Sequence, residues 1–256
     1  MANSVVASES VWLRKLAGVG LLSAALLSVC GCRFVNRTKH SQGGIDLKGI
    51  ALNMKHIASG PVQYVALGDS TGVGVGAKDG GYVARLFKRI EVVRPSSSLT
   101  NLCVSGATSE DVVRTQLERG IAAKPTLVTL GVGINDVTHG LTLDEFTANY
   151  DKILGQLTTM TSASILVLNI PDISSAPRIP PSLRDQLGRQ IILFNTRIAE
   201  LARKHGLALF DIYSSTHESL GSHPEFFSGD GFHPSDPGYE HWANEMWPVI
   251  EDALNQ

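Results

Sequence analysis

From Gly60 onward, short runs of aliphatic and β-branched residues alternate with segments whose apolar positions recur every three or four residues. The runs predict strands over 62–68, 99–104, 126–131, 164–170 and 207–212. Between the first two, Tyr82, Val83, Leu86, Phe87 and Ile90 fall on one face and predict a helix over 81–93. Three later helix starts are marked by a hydroxyl three residues ahead of an acid, in Thr108-Ser-Glu-Asp111, Thr142-Leu-Asp-Glu145 and Ser182-Leu-Arg-Asp185. In each, the two side chains can satisfy backbone N–H groups that have no partner in the first turn. Leu143, Phe146, Tyr150, Ile153 and Leu157 continue one of these helices, and Leu187, Ile191, Phe194, Ile198 and Leu201 another. In the last helix Pro237 takes the first helical position. Tyr239, Trp242, Ala243, Met246, Trp247 and Ile250 form its core stripe, and Pro248 removes a donor and should kink it.

Strands separated by helices build a parallel sheet covered on both faces. The expected fold class is α/β, a three-layer αβα sandwich around a flavodoxin-like five-stranded sheet of order 2-1-3-4-5 with right-handed crossovers. The residues after strands 1, 2 and 3 then reach one edge, and these include Ser70, Gly106 and Asn135.

The front of the chain has another character. Arg14 and Lys15 precede an uncharged run from Leu16 to Val29, with Cys30-Gly31-Cys32 behind it. That run suits a signal-peptide core and is short for a membrane-spanning helix, which needs ~20 residues. Residues 1–31 therefore read as an export leader. Val29-Cys30-Gly31-Cys32 resembles a bacterial lipobox, which makes Cys32 the candidate lipid anchor, although Cys30 stands where Ala or Ser is usual and plain cleavage with secretion is the alternative. Residues 32–60 are polar and aperiodic at first and read as a tether, with Ile45, Leu47, Ile50, Leu52, Met54 and Ile57 expected to dock its second half on the domain at 61–256. The protein is thus expected in the cell envelope, periplasm or medium.

With 256 residues and 43% hydrophobic content, the chain supports one substantial core. A formal charge of −2, without a basic stripe, speaks against nucleic acid as a partner. Were Cys32 acylated and Cys30 removed, Cys103 would stand alone; its setting in Leu102-Cys103-Val104 marks it as a small packed hydrophobe.

Val65-Ala66-Leu67-Gly68-Asp69-Ser70 is an apolar strand ending in a serine, which delivers a hydroxyl to the rim of the sheet. Ester hydrolysis by serine needs a base, a group that orients the base, and donors for the oxyanion. In Asp230-Gly-Phe-His233 a carboxylate three residues ahead of an imidazole can bond its Nδ1–H and leave Nε2 for Ser70. Gly131-Val-Gly133-Ile-Asn135-Asp136 supplies an amide after strand 3, and Gly106 an unshielded N–H after strand 2. The glycines of Thr71-Gly-Val-Gly-Val-Gly76 read as a turn that frees the serine and shapes the cleft floor. Ile170 through Pro181 reads as a cleft wall, with His217 and His223 near its entrance.

Gly68-Asp69-Ser70, Gly106, Gly133-Ile-Asn135-Asp136 and Asp230-x-x-His233, in this order from Tyr64 to the last helix, resemble the SGNH/GDSL hydrolase superfamily. The resemblance implies a Ser70–His233–Asp230 triad and an oxyanion hole from the N–H groups of Ser70 and Gly106 and the side chain of Asn135. It implies acyl transfer to water by a monomer acting on a small-molecule ester, with no cofactor and no metal. Thr71 departs from the usual Gly-Asp-Ser-Leu and alters the packing beside the serine. Short-chain esters, lysophospholipids and acetylated sugars are all open as substrates. An envelope O-acyltransferase or carbohydrate acetylesterase on the same fold is one alternative. A dinucleotide binder is the more distant one, since Gly72-Val-Gly74-Val-Gly76 follows a strand but does not open directly into a long helix and lacks an acid after strand 2.

Overall fold

The computed structural model describes residues 54–219 and 222–255. The expected leader over 1–31, the candidate anchor Cys32 and most of the expected tether lie outside them.

Five parallel strands form one sheet, β1 (Gln63–Gly68), β2 (Ser98–Asn101), β3 (Leu127–Gly131), β4 (Ser164–Leu168) and β5 (Ala208–Phe210), in the order 2-1-3-4-5. Helix α1 (Ser70–Val73) is a single turn after β1, and α2 (Tyr82–Val93) connects it to β2. Beyond β2 the chain forms α3 (Ser109–Asp111), a π-helical turn (Val112–Gln116) and α4 (Leu117–Ala122). The remaining helices are α5 (Ile134–His139), α6 (Leu143–Met160), α7 (Pro181–Lys204), α8 (Ile212–Ser219) and α9 (Asp236–Asn255). The two-residue period of the strands sorts side chains onto two cores. Tyr64, Ala66, Leu166 and Leu168 pack with α2 and α9, whereas Val65, Leu67, Ile165 and Val167 pack with α6 and α7.

The capping boxes at Thr108 and Thr142 form, with both reciprocal bonds present. The one expected at Ser182 does not. Helix α7 starts at Pro181 without a side-chain cap, because proline in the first turn presets φ and has no N–H to satisfy. Helix α9 begins at Asp236, one residue before Pro237, and runs on through Pro248.

Three strands end earlier than the apolar runs do, each because a side chain captures backbone groups. Asn101 Oδ1 accepts from Cys103 N–H, which stops β2. The buried Asn195 on α7 holds both N–H and C=O of Ile170 at 2.7 and 2.8 Å, just beyond β4. Asp211 takes the N–H and hydroxyl of Ser214, which starts α8 where strand 5 was expected to continue.

Met54 and Ile57 are buried, and Ile57 N–H donates to Ala253 C=O. This segment, with Arg94 bonded to the carbonyls of Ala58 and Gly60, packs at the edge where the strands begin, opposite Ser70.

Candidate active site

The backbone at the end of β1 is held from two sides. Gln116, in the π-helical turn, donates to Gly68 C=O at 2.9 Å and accepts from Gly68 N–H at 2.8 Å. π-helical turns of this kind widen a helix locally and recur at functional sites. Gly68 sits at φ +149°, where a Cβ would lie 2.1 Å from Gly131 C=O, so no other residue fits there. Asp69 N–H then donates to Gly131 C=O, and the Asp69 carboxylate caps α1 by accepting from Thr71 N–H and Oγ1–H, each at 2.9 Å. Ser70 is thereby the first residue of a short helix, and its own N–H has no intrahelical acceptor. Burial pushes the Asp69 carboxyl above its ordinary range, against the hydrogen bonds from Thr71 and the nearby His233, which act to lower it.

His233 arrives from the loop before α9. Asp230 Oδ1 gathers Ser228 Oγ–H, Phe232 N–H and His233 N–H at 2.7–2.9 Å, and Oδ2 stands 2.6 Å from His233 Nδ1. Partial burial acts to raise the Asp230 carboxyl, but the bonds from His233 and Ser228 outweigh it and bring it to about 2. An ionised carboxylate can only accept, so Nδ1 carries the proton and Nε2 presents its lone pair. Nε2 lies 3.0 Å from Ser70 Oγ. This loop can come so close to the serine because a Cβ on Gly76 would stand 2.6 Å from Pro234 C=O. Asp236 fixes the other side, accepting from the N–H groups of Lys78 and Asp79 and pairing with Arg85.

The two remaining expected residues stand in neighbouring loops. Gly106 is exposed at φ +82°, in a loop whose Val104 N–H donates to Gly68 C=O. Asn135, in the first turn of α5, donates one amide N–H to Ala107 C=O at 2.9 Å, which fixes its plane and leaves a second N–H. Neither is hydrogen-bonded to Ser70 among the described residues. Asp136 locks the two loops together by accepting from Ser109 N–H at 3.0 Å and Ser109 Oγ–H at 2.5 Å. Its burial outweighs the bonds from Ser109 and raises the carboxyl to about 6.

Ser70 and His233 open onto a cleft whose walls are mostly apolar, including Ile134, Ile173, Phe226, Phe227, Phe232 and Trp242. Pro171 and Ile173 supply the expected wall. The glycines after Thr71 do not line the cleft; Thr71, Ile134 and Trp242 do. His217 and His223 are absent from its lining, since His217 Nδ1 is bonded to Asp172 at 2.6 Å and His223 Nδ1 to Glu225 at 2.8 Å. Sequence reasoning treated Trp242 as core alone, whereas it is both buried and part of the cleft. It also missed Gln116, whose signal was a polar side chain between the apolar positions Val112 and Leu117.

Residues 66–241 match the GDSL-like lipase/acylhydrolase family. The chain belongs to that family. Esterase TesA of Pseudomonas aeruginosa is 24% identical over 191 residues, spanning 74% of this chain and 88% of the relative. Among solved structures, LAE5, a hydrolase from the metagenome of Lake Arreo, superposes with a TM-score of 0.63 at 21% identity, covering 77% of this chain and 98% of that one. Axe2, an acetyl-xylooligosaccharide esterase from Geobacillus stearothermophilus, gives a TM-score of 0.61 at 22% identity over 75% and 95% of the two chains. As a family member, this GDSL-like protein is a hydrolase acting on ester bonds.

Proposed function

We propose that this GDSL-like hydrolase is an exported serine esterase that cleaves carboxylic esters through an acyl-enzyme on Ser70. The observation that carries the reading is the hydrogen-bonded chain from Asp230 through His233 to Ser70, opening on an apolar cleft. Ser70 Oγ attacks the ester carbonyl while His233 Nε2 takes its proton, and Asp230 holds the imidazolium that forms. The oxyanion develops toward the N–H groups of Ser70 and Gly106 and the Asn135 amide. His233 returns the proton to the departing alkoxide. Water then attacks the acyl-enzyme with His233 again as base, releasing the acid and restoring Ser70.

The test is hydrolysis of p-nitrophenyl butyrate by the full chain and by Ser70→Ala. The wild type turns over, and the variant loses about 10³-fold or more in kcat. Equal turnover by the two proteins contradicts the reading.

In the same proposal residues 1–31 direct export and Cys32 carries a lipid. Palmitate labelling that is lost in Cys32→Ala supports the anchor, and labelling that persists removes it.

A further inference from the structure

Beside the cleft lies a second hollow, over the ends of β3 and β4. Thr71, Ile134, Pro171 and Trp242 line both spaces and form the partition between them. Ile134 and Trp242 are buried, and the Trp242 ring is held in place by Tyr82 and by an edge contact with Tyr239. On the far side the walls are again largely apolar, with Val132, Leu168, Ile170 and Ile212 beside the polar Asp69 and Asn169.

Resting on the esterase reading, we infer that the apolar cleft takes the acyl group as an aliphatic chain longer than acetyl, and that Trp242 with Ile134 sets its length limit. Two arguments assign the cleft to the acyl rather than the alcohol side. The acyl group stays bonded to Ser70 between the two half-reactions and needs a sheltered site, whereas the alcohol has to leave first. Val104, Ser105 and Gly106, which are outside the cleft lining, are exposed and give the alcohol an open way out. The cleft is also poorly suited to a hydroxyl-rich group. Thr216 Oγ1 already donates to Ile212 C=O and accepts from Asp172 N–H, and Ser219 Oγ donates to Ser215 C=O. An alkyl chain asks for no polar partner, and each methylene removed from water adds about fourfold to binding.

The experiment compares kcat/KM of the full chain for straight-chain p-nitrophenyl esters from acetate to myristate, with a parallel series of alkyl acetates in which only the alcohol lengthens. The wild type gains roughly fourfold per methylene over the shorter acyl members and then declines. In Trp242→Ala the decline moves to longer chains, and the laurate-to-butyrate ratio rises about tenfold. Because Trp242 also packs against Tyr82 and Tyr239, Ile134→Ala is a second variant that opens the same partition from the other side. Ratios between chain lengths within one variant cancel any uniform loss of activity or of folded protein. Chain-length profiles of both variants that parallel the wild type overturn the assignment of the partition. A preference for acetate, or a length dependence found in the alcohol series instead, overturns the acyl assignment. Absence of hydrolysis with every ester overturns the esterase reading itself, a result distinct from both.

Discussion

One imidazole–carboxylate pair reaches into the cleft and another stands behind its wall residues Pro171, Ile173 and Thr216, and as pairs they are nearly the same. His233 Nδ1 lies 2.6 Å from Asp230, and His217 Nδ1 lies 2.6 Å from Asp172. In both, the carboxylate also accepts a backbone N–H, from His233 itself or from Ser174. The difference is where the second ring nitrogen goes. The His233 ring is largely enclosed and its Nε2 meets Ser70 Oγ, whereas the His217 side chain is 48% exposed and its ring stacks on Tyr213. Asp172 N–H is bonded to Thr216, so the second pair fastens the cleft wall to α8. An oriented imidazole is therefore not by itself a catalytic device. On the proposed mechanism, a hydroxyl at hydrogen-bond distance, a place for substrate, and donors for the oxyanion give one of the two its chemistry.

Mutating the two rings draws the contrast most strongly. His233→Ala is expected to lower kcat by about 10⁴–10⁶, as loss of a triad base does, while His217→Ala costs less than about tenfold. Comparable losses in steady-state assays would erase the distinction. Asp230→Asn should come next, at about 10⁴, because an amide no longer enforces the Nδ1–H tautomer. Its counterpart Asp172→Asn should loosen the wall and show up mainly in KM. Asn135→Ala removes an oxyanion donor and is expected to cost about 10²–10³ in kcat with KM little changed.

The smallest effect concerns stability and involves neither pair. Asp136 is held at about 6 against an ordinary 3.8. The folded chain thus keeps a proton that the unfolded chain has released between those values. The contribution is fully present below pH 3.8 and is lost as pH rises through about 6, for a total near ~3 kcal/mol. Asp136→Asn should flatten that part of the pH–stability curve measured by urea unfolding. Asp230, held at about 2, acts in the other direction and stabilises above 3.8, with loss only as pH falls toward 2. An unchanged acid-range slope in Asp136→Asn would show that another group carries it.

The fold was legible because a two-residue period and a three-to-four-residue period are properties of contiguous sequence, and alternation of the two leaves few topologies. Ser70, His233 and Asp230 were legible for a related reason, since a strand-end hydroxyl and a three-residue carboxylate–imidazole spacing are local. The parts that escaped are set at a distance. Ile170 leaves β4 because Asn195, 25 residues further on, takes its backbone groups. Gln116 steadies Gly68 from 48 residues away, through a π-helical turn that no apolar period announces. Trp242 has the spacing of a core residue and is one. Its second role as a cleft wall depends on Ile134 and Thr71, which the chain brings to it from the starts of two other helices.

The central claim is that Ser70 is the nucleophile and His233 its base. Its most direct measurement is peptide mapping by mass spectrometry after brief exposure of the full chain to a fluorophosphonate, which traps an activated serine covalently. The account predicts one adduct, on the peptide carrying Ser70, formed far more slowly in His233→Ala and at the wild-type rate in His217→Ala. Ester turnover by a chain whose Ser70 stays unmodified, or an adduct on another serine that abolishes activity, would contradict it.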